Sequence, residues 1–592
     1  MFCLTFSVSI AQEVRFRDDT VNIQYLNYTS SEDFQELPYT ELDGFHHYRP
    51  YGKNRLPIAR LGNIGLPTHV FGAKGQDWDI DANLGGYQAY LMKKSNLRLY
   101  QASRPFTSLN YANGAESEQL FSVFHTQNMG EGLNLSLEYR RTVSEGFFQN
   151  QLTSHTQFNT TLHFHSRNQK YAAKGYFYIN DLESQENGGI NLTSLEDNSV
   201  LQDVQLNNAQ NQSRSLGFGF QNAYDVWMLD SNKNLLHISH ELDWARSFRL
   251  YKDQLDPAQP QYPSFFLDSS ATADSSFAEV LSNTLKFELF NAGITVGFRN
   301  EYYQYFQNFL LDRHFSSNYI LFQTKGTLFG NVETESILEK GISGFHQDEL
   351  DWKTSLRFKK FKGIRPTLLF SITEKQADFF VQNQRSNQHF FEEDFETSNM
   401  NAVQFIADAE QINLELEVGF QQMDNFIFYD TLLTAKQLSS SFSNFYMKLA
   451  HHWNFWKSWN FLNRFQLQNL GDEEVMPLPT LFSYHSFYFE KSFFEEALKL
   501  QTGFDFFYMS EYQGYAYSPA LTQFHLRNGG SALGGSGQLD FFLNLRIEKA
   551  ARLFFKVENL LNDQFEEDNF RVQGYAIPSR AFKVGFSWRM IN

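Results

Sequence analysis

From Phe582 to Met590 the chain alternates with a period of two. Phe582, Val584, Phe586, Trp588 and Met590 fall on one face, and Lys583, Gly585, Ser587 and Arg589 on the other. Successive strand side chains point to opposite faces, whereas a helix brings together residues three and four apart. Helical spacing would here mix Phe with Lys. Four further segments repeat the pattern. Leu539, Phe541, Leu543, Leu545 and Ile547 alternate with Gln538, Asp540, Phe542, Asn544 and Arg546. Leu498, Leu500, Thr502, Phe504, Phe506 and Tyr508 hold one face of another run. Leu133, Leu135, Leu137 and Tyr139 alternate with Asn134, Ser136, Glu138 and Arg140, and Phe158, Thr160, Leu162 and Phe164 with Gln157, Asn159, Thr161, His163 and His165. Five such runs spread along 592 residues predict an all-β chain.

A soluble β-sandwich also alternates, so scale decides. Each run is about ten residues long, the length of a tilted strand that crosses a bilayer, where soluble strands average about five or six. Composition agrees. There are 63 Phe and 29 Tyr, yet mean hydropathy is negative. A barrel wall needs both, because one side of each strand meets lipid and the other water. No segment approaches the ~18 consecutive apolar residues of a spanning helix, which leaves a closed barrel as the spanning structure. The expectation is a transmembrane antiparallel up-and-down β-barrel of about 18 strands (range about 16–22), with an even number favoured.

Short turns alternate with long polar connections. Residues 181–213, 253–276 and 376–400 are rich in Asn, Ser, Asp and Gln and read as exposed loops. Residues 511–518 form a shorter, Tyr-rich connection around Gly514. A tight turn at Lys457-Ser458 is flanked by Trp453, Phe455, Trp456, Trp459 and Phe461. With Trp588, the tryptophans Trp453, Trp456 and Trp459 are candidates for an aromatic girdle at the membrane interface.

Residues 1–11 resemble the end of a secretory signal peptide, with an apolar stretch and Ala11-Gln12 as the cleavage point. Residues 12–97 alternate poorly and read as a periplasmic or lumenal segment: an extended piece, a small plug, or the entry to the first strands. They include Leu42 to Tyr51 with His46 and His47, but no independent domain of the size of a full plug. The barrel is expected over 98–592.

A net charge of −18 argues against nucleic acid as a partner, since no large basic surface is there to release phosphate counterions. The single cysteine, Cys3, lies in the leader. A mature chain without it has no disulfide framework, cysteine-ligated zinc or cysteine nucleophile.

The 16 histidines invite a metal reading. His155, His163 and His165 share a strand face with Arg167, His237 and His240 point apart, and His451 and His452 diverge. No set shows three convergent ligands. The Gly-rich run 528–537 precedes a strand rather than a helix, so it reads as a flexible loop rather than a phosphate cradle. Glu392, Glu393, Asp394 and Glu396 lack the turn glycine of a calcium loop. No Gly-x-Ser-x-Gly elbow is present. The expectation is a non-enzyme without cofactor. Arg140, Asp540, Arg546, Lys556 and Lys583 alternate with the apolar face and are candidates to line the lumen.

Two stretches are more specific. The first holds Ser103-Arg104-Pro105-Phe106-Thr107, Glu118-Gln119-Leu120-Phe121-Ser122-Val123, Tyr139-Arg140-Arg141, Ser144-Glu145-Gly146-Phe147-Phe148-Gln149-Asn150-Gln151 and Gln185-Glu186-Asn187-Gly188-Gly189. The second holds Asp540-Phe541-Phe542-Leu543-Asn544-Leu545-Arg546-Ile547, Ala551-Arg552-Leu553-Phe554-Phe555-Lys556 and Gly574-Tyr575-Ala576-Ile577-Pro578. Both resemble the putative porin family of Bacteroidota outer membranes. The resemblance implies an outer-membrane barrel of porin type but no substrate. Val557 to Asp563 also resembles the end of TonB-dependent receptors, which carry a full plug and an energy-coupling box.

The leading functional expectation is a porin-like channel for passive diffusion of small hydrophilic solutes. The alternative is a ligand-binding receptor or transport or secretion-associated barrel whose lumen is closed by loops, and a barrel hydrolase is a more distant third. Expected partners are outer-membrane lipid, the barrel-assembly machinery during biogenesis, and small solutes.

Overall fold

The computed structural model describes residues 22–29, 34–37, 41–50, 58–72, 84–190, 203–230, 233–255, 262, 264–289, 292–308, 310–561 and 570–591. The leader reading of residues 1–11, Cys3 included, lies outside them.

Twenty-two antiparallel strands form one closed barrel, each pairing with its neighbours in chain order. The last strand, Ala581–Ile591, pairs with the first, Phe106–Gly114, through registers such as Phe586↔Tyr111 and Trp588↔Leu109. Closure removes the free edges that would expose unpaired backbone to lipid.

The strand number exceeds the expected 18. The polar stretches expected as loops are also partly strand, which lengthens the strands at their ends. Asp181 pairs with Arg214 and Gln185 with Gln210 inside the expected loop 181–213, and Asp253 pairs with Thr272 inside 253–276. These segments carry polar side chains on the lumen face as well as outside, which blurs the period-2 signal. The strands concerned are also long: Gln210–Asp230 has 21 residues and Lys233–Gln254 has 22.

The alternation itself sorts the two faces. In the last strand Phe582, Phe586 and Trp588 are exposed on the outside, while Lys583, Ser587 and Arg589 are buried inside. Phe504, Phe555, Phe298 and Phe322 are likewise exposed on the outer wall. Inward positions are Ser, Thr, Asn and Gln to an unusual degree, among them Thr153, Gln157, Thr161, Asn180 and Asn444, all buried.

The two rims differ. Short turns at 129–132, 329–331, 456–458 and 548–550 sit at one rim. The described parts of the long connections 186–209, 255–270, 376–397, 425–441, 510–536 and 559–580 lie at the other. In barrels of this type the short turns are periplasmic and the long loops external. The long connections carry small hairpins of their own, such as Tyr515–Ser518 with Gln523–Leu526. Among the described residues the only α-helix is Phe379–Gln382, and no helix is long and apolar enough to cross a membrane.

The described residues between 22 and 105 run through the lumen. Ile23–Asn27 and Arg98–Ala102 form a small sheet with Gln35–Glu36. The segment is held to inward-facing wall side chains along its length. Thr161 Oγ1 donates to Arg98 O at 2.7 Å, Asn180 Nδ2 to Met92 O at 2.8 Å, Thr153 Oγ1 to Ile64 O at 2.7 Å, and Gln468 Nε2 to Phe71 O at 2.9 Å. A segment with little regular structure needs partners for its backbone groups once buried, and the polar wall supplies them. Towards the outer rim, Ala59, Leu61, Leu66 and Phe71 of this segment share one apolar core with Leu470, Met476 and Leu478, with Tyr512, Tyr517 and Leu533, and with Phe570, Val572 and Tyr575 from three external loops.

The Gly-rich run 528–537 is part of that closure rather than a free loop. Leu533 exchanges both backbone hydrogen bonds with Tyr512, at 2.8 and 2.9 Å, and is buried. Its glycines 529, 530, 534 and 535 all take positive φ, which allows the sharp reversals.

Candidate functional site

Residues 42–49 cross the lumen as two overlapping turns. Phe45 N–H donates to Leu42 O at 3.0 Å and His47 N–H to Gly44 O at 2.9 Å, with Gly44 at φ +61°. Two adjacent residues of an extended chain would point apart. The turns instead aim the neighbouring imidazoles of His46 and His47 the same way, with ring centroids 4.2 Å apart.

Both rings meet Asp505, which the Leu498–Met509 strand points inward. His46 Nε2 lies 2.7 Å from Asp505 Oδ2, and His47 Nε2 lies 3.2 Å from the same oxygen. Tyr484 Oη donates to Asp505 Oδ1 at 3.0 Å and stands 3.2 Å from His47 Nε2. His46 stacks on Phe542 at 3.9 Å, and Asn544 Nδ2 stands 2.9 Å from its Nδ1. The three ligand atoms lie within 4.8 Å of one another, and all three residues are buried. Three convergent donors therefore exist, contrary to the expectation from the other histidines. Burial pushes the His47 imidazole down to about 3, helped by the neighbouring His46.

A charged network continues from this cluster. Arg49 grips Glu558 with both terminal nitrogens, at 3.0 and 3.1 Å, and reaches Glu118 at 3.4 Å. Lys556 pairs with Asp540 at 2.9 Å and Glu558 at 3.1 Å. Lys583 contacts Glu118, which also accepts from the Tyr48 hydroxyl. These groups are nearly sealed from solvent. Taking one partner from such a network leaves an uncompensated charge, a loss of about 3–5 kcal/mol. The network thus pins the N-terminal segment to three strands of the wall and to the turn that holds Glu118.

A second anchor lies nearer the outer rim. Glu186 Oε1 accepts from Tyr87 Oη at 2.8 Å and Asn211 Nδ2 at 2.8 Å, and from Tyr517 Oη at 3.3 Å. It therefore joins the lumenal segment, the wall and the 510–536 connection. Burial pushes its carboxyl up to about 7, against the opposing effect of these donors.

The residues singled out from sequence fall in three places. Asp540, Lys556 and Lys583 face inward as alternation predicts, but they do not line open water: they are 1 %, 5 % and 3 % exposed beneath the lumenal segment. Arg140 is half-buried and pairs with Glu138 on its own strand at 2.9 Å. Arg546 is half-buried in the Gly537–Ile547 strand, opposite Arg552 and Lys499. The tryptophans cluster at the short-turn rim. Trp453 is exposed and Trp456 stands at the tip of its turn at φ +48°. Trp459 stacks on Phe487 at 5.1 Å, and Trp588 is exposed on the last strand.

The other histidines stay apart. His155 is buried between the rings of Tyr87 and Tyr90, His163 meets Tyr100 O at 2.8 Å, and His237 pairs with Asp225 at 2.8 Å. Of the acidic loop cluster, Glu392 pairs with Arg385 at 2.5 Å and Glu393 with Lys436 at 3.6 Å. Sequence reasoning missed Asp505, Arg49, Glu118, Glu558 and Glu186 as a set. The adjacent His46-His47 pair was the visible signal, but its carboxylate stands 459 positions along the chain.

No protein of curated function matches the chain by sequence. Solved structures do resemble it in fold. The copper transporter OprC has a TM-score of 0.65 at 8% identity, covering 92% of this chain and 96% of that one. The siderophore receptor PiuA from Acinetobacter baumannii has a TM-score of 0.56 at 10% identity, covering 82% of each chain. The ferric-catecholate import receptor Fiu from E. coli K12 in its closed form also scores 0.56 at 10% identity, covering 86% and 85%. At such identities the likeness is one of fold. A family model described as "Putative porin" matches residues 24–592, and the chain, an outer-membrane β-barrel, belongs to that family.

Proposed function

We propose that this protein is a gated uptake receptor of the outer membrane rather than an open diffusion channel. It takes a ligand at the outer loops and passes it inward when the lumenal segment yields. One observation carries this reading: Leu61, Leu66 and Phe71 of the lumenal segment share a single apolar core with the external connections that hold Leu478, Tyr512 and Val572. An open pore keeps its eyelet wetted. Here the lumenal segment packs against three of the long connections, and buried ion pairs tie it to the wall below. The fold likeness to a siderophore receptor and a copper transporter supports the same reading. The tryptophans at the short-turn rim would seat the barrel in the lipid interface. A transport role accounts for the chain without any catalytic step.

Planar-bilayer conductance tests the proposal. The intact protein is expected to be silent, and a variant lacking residues 22–97 is expected to give stable steps of pore size. Stable steps from the intact protein would restore passive diffusion and overturn the gated reading.

A further inference from the structure

We propose that His46, His47 and Asp505 bind one divalent transition-metal ion, zinc or a cation of similar borderline softness, which ties the lumenal segment to the barrel wall. The donors are two imidazole nitrogens and one carboxylate oxygen, a set that suits zinc and its neighbours. Calcium and magnesium prefer all-oxygen sites. A tetrahedral ion with bonds of ~2.1 Å separates its ligand atoms by about 3.4 Å. The two histidine-to-Asp505 separations of 2.7 and 3.2 Å open to that value with shifts of well under an ångström.

The charge balance points the same way. Three strong bases nearby are held by other carboxylates: Arg49 by Glu118 and Glu558, Lys556 by Asp540 and Glu558, Lys583 by Glu118 and Glu558. Asp505, fully buried, has only the two imidazoles as ion-pair partners. A bound cation would add positive charge at closer range than Lys556, whose ammonium also acts on Asp505 electrostatically. One candidate outer-shell partner, Asn544, stands beside His46. Asn544 Oδ1 is buried without a hydrogen-bond partner. Asn544 Nδ2 stands 2.9 Å from His46 Nδ1 and also donates to Gln501 Oε1 at 2.8 Å and to Leu42 O at 3.3 Å, so presenting the oxygen to His46 Nδ1–H, the tautomer His46 must adopt when Nε2 holds a metal, exchanges those two bonds for one. His46 and His47 both line a cavity of about 120 Å³ that also reaches Asp540, Lys556 and Glu558.

The test uses the full chain, stripped with chelator and refolded into detergent with or without zinc chloride. Metal content is measured after gel filtration, and affinity by competition with a chromophoric chelator. One equivalent is expected in the intact protein. His47→Gln and Asp505→Asn should weaken retention by at least about a hundredfold, and Asn544→Ala by about 10–100-fold, the usual cost of an outer-shell partner. His155→Gln, which alters a lumenal histidine outside the cluster, should leave it unchanged. X-ray absorption at the zinc edge of the intact protein should show two imidazoles plus oxygen ligands, a readout that stands even where a variant fails to fold. An intact protein that retains no stoichiometric zinc overturns the proposal. So does equal retention by intact protein and folded Asp505→Asn, or an edge spectrum without imidazole. None of these outcomes bears on conductance, so this site and the gated reading fail separately.

Discussion

The Tyr87 hydroxyl donates to Glu186 Oε1 at 2.8 Å, and through that one oxygen the lumenal segment is tied to the corner where the barrel wall meets an external loop. Tyr517 reaches the same oxygen from the 510–536 connection. Burial pushes the Glu186 carboxyl up to about 7, so the protonated form fits this pocket at mildly acidic pH.

A pH dependence follows. In the unfolded chain Glu186 titrates near the ordinary 4.5, and in the folded protein at about 7. Between those values the folded state holds more protons, so stability falls as pH rises through that window and is level above it. A shift of this size corresponds to about 3 kcal/mol. Thermal unfolding in detergent should give a higher midpoint at pH 5 than at pH 8, with a difference that shrinks in Glu186→Gln. A variant with the same pH profile as the intact protein would remove Glu186 from this role.

Arg49→Ala leaves Glu118 and Glu558 facing each other without their shared guanidinium. The lumenal segment should lose about 3–5 kcal/mol of its seating, while the barrel strands stay paired. Limited proteolysis should cut between residues 22 and 97 faster than in the intact protein. Conductance should show intermittent openings.

Gly65 sits at φ +90°, and a Cβ there would come within 2.8 Å of the Thr153 side chain. Gly65→Ala therefore combines backbone strain with a clash and should cost about 1–3 kcal/mol. Hydrogen exchange should rise over residues 58–72 and stay unchanged in the outer-wall strands.

Phe504 is 45 % exposed on the outer wall, midway along the Leu498–Met509 strand. Phe504→Arg should destabilise the barrel in lipid vesicles by about 2–4 kcal/mol, the cost of a cation at mid-membrane depth. Urea unfolding from vesicles measures this. Phe504→Leu is the control and should change stability far less.

How much was legible beforehand depended on which physical rule governed each residue. Phe582, Val584 and Phe586 could be assigned to the outer face because a strand has only two faces and lipid accepts one kind of side chain. Lys583 could be assigned inward by the same rule. What Lys583 touches was not legible, since alternation gives a direction but no partner. The strands from 210 to 289 were harder, because water-filled and protein-filled lumen faces both tolerate polar residues.

The sequence by itself determined that this chain closes into an antiparallel barrel, because a period of two sustained over lengths that cross a bilayer leaves its backbone no other way to be satisfied in lipid. Only the tertiary structure decided that the described residues before the first barrel strand run inside the lumen and are tied to its wall. His46 and His47 lie in a stretch with little periodicity, and their place is set by Asp505, Tyr484 and Asn544 on strands hundreds of residues away. Local propensity cannot encode such contacts. They form when the closed wall turns its inward side chains towards a chain threaded through it, and they hold because a buried charge without a partner is too costly to leave.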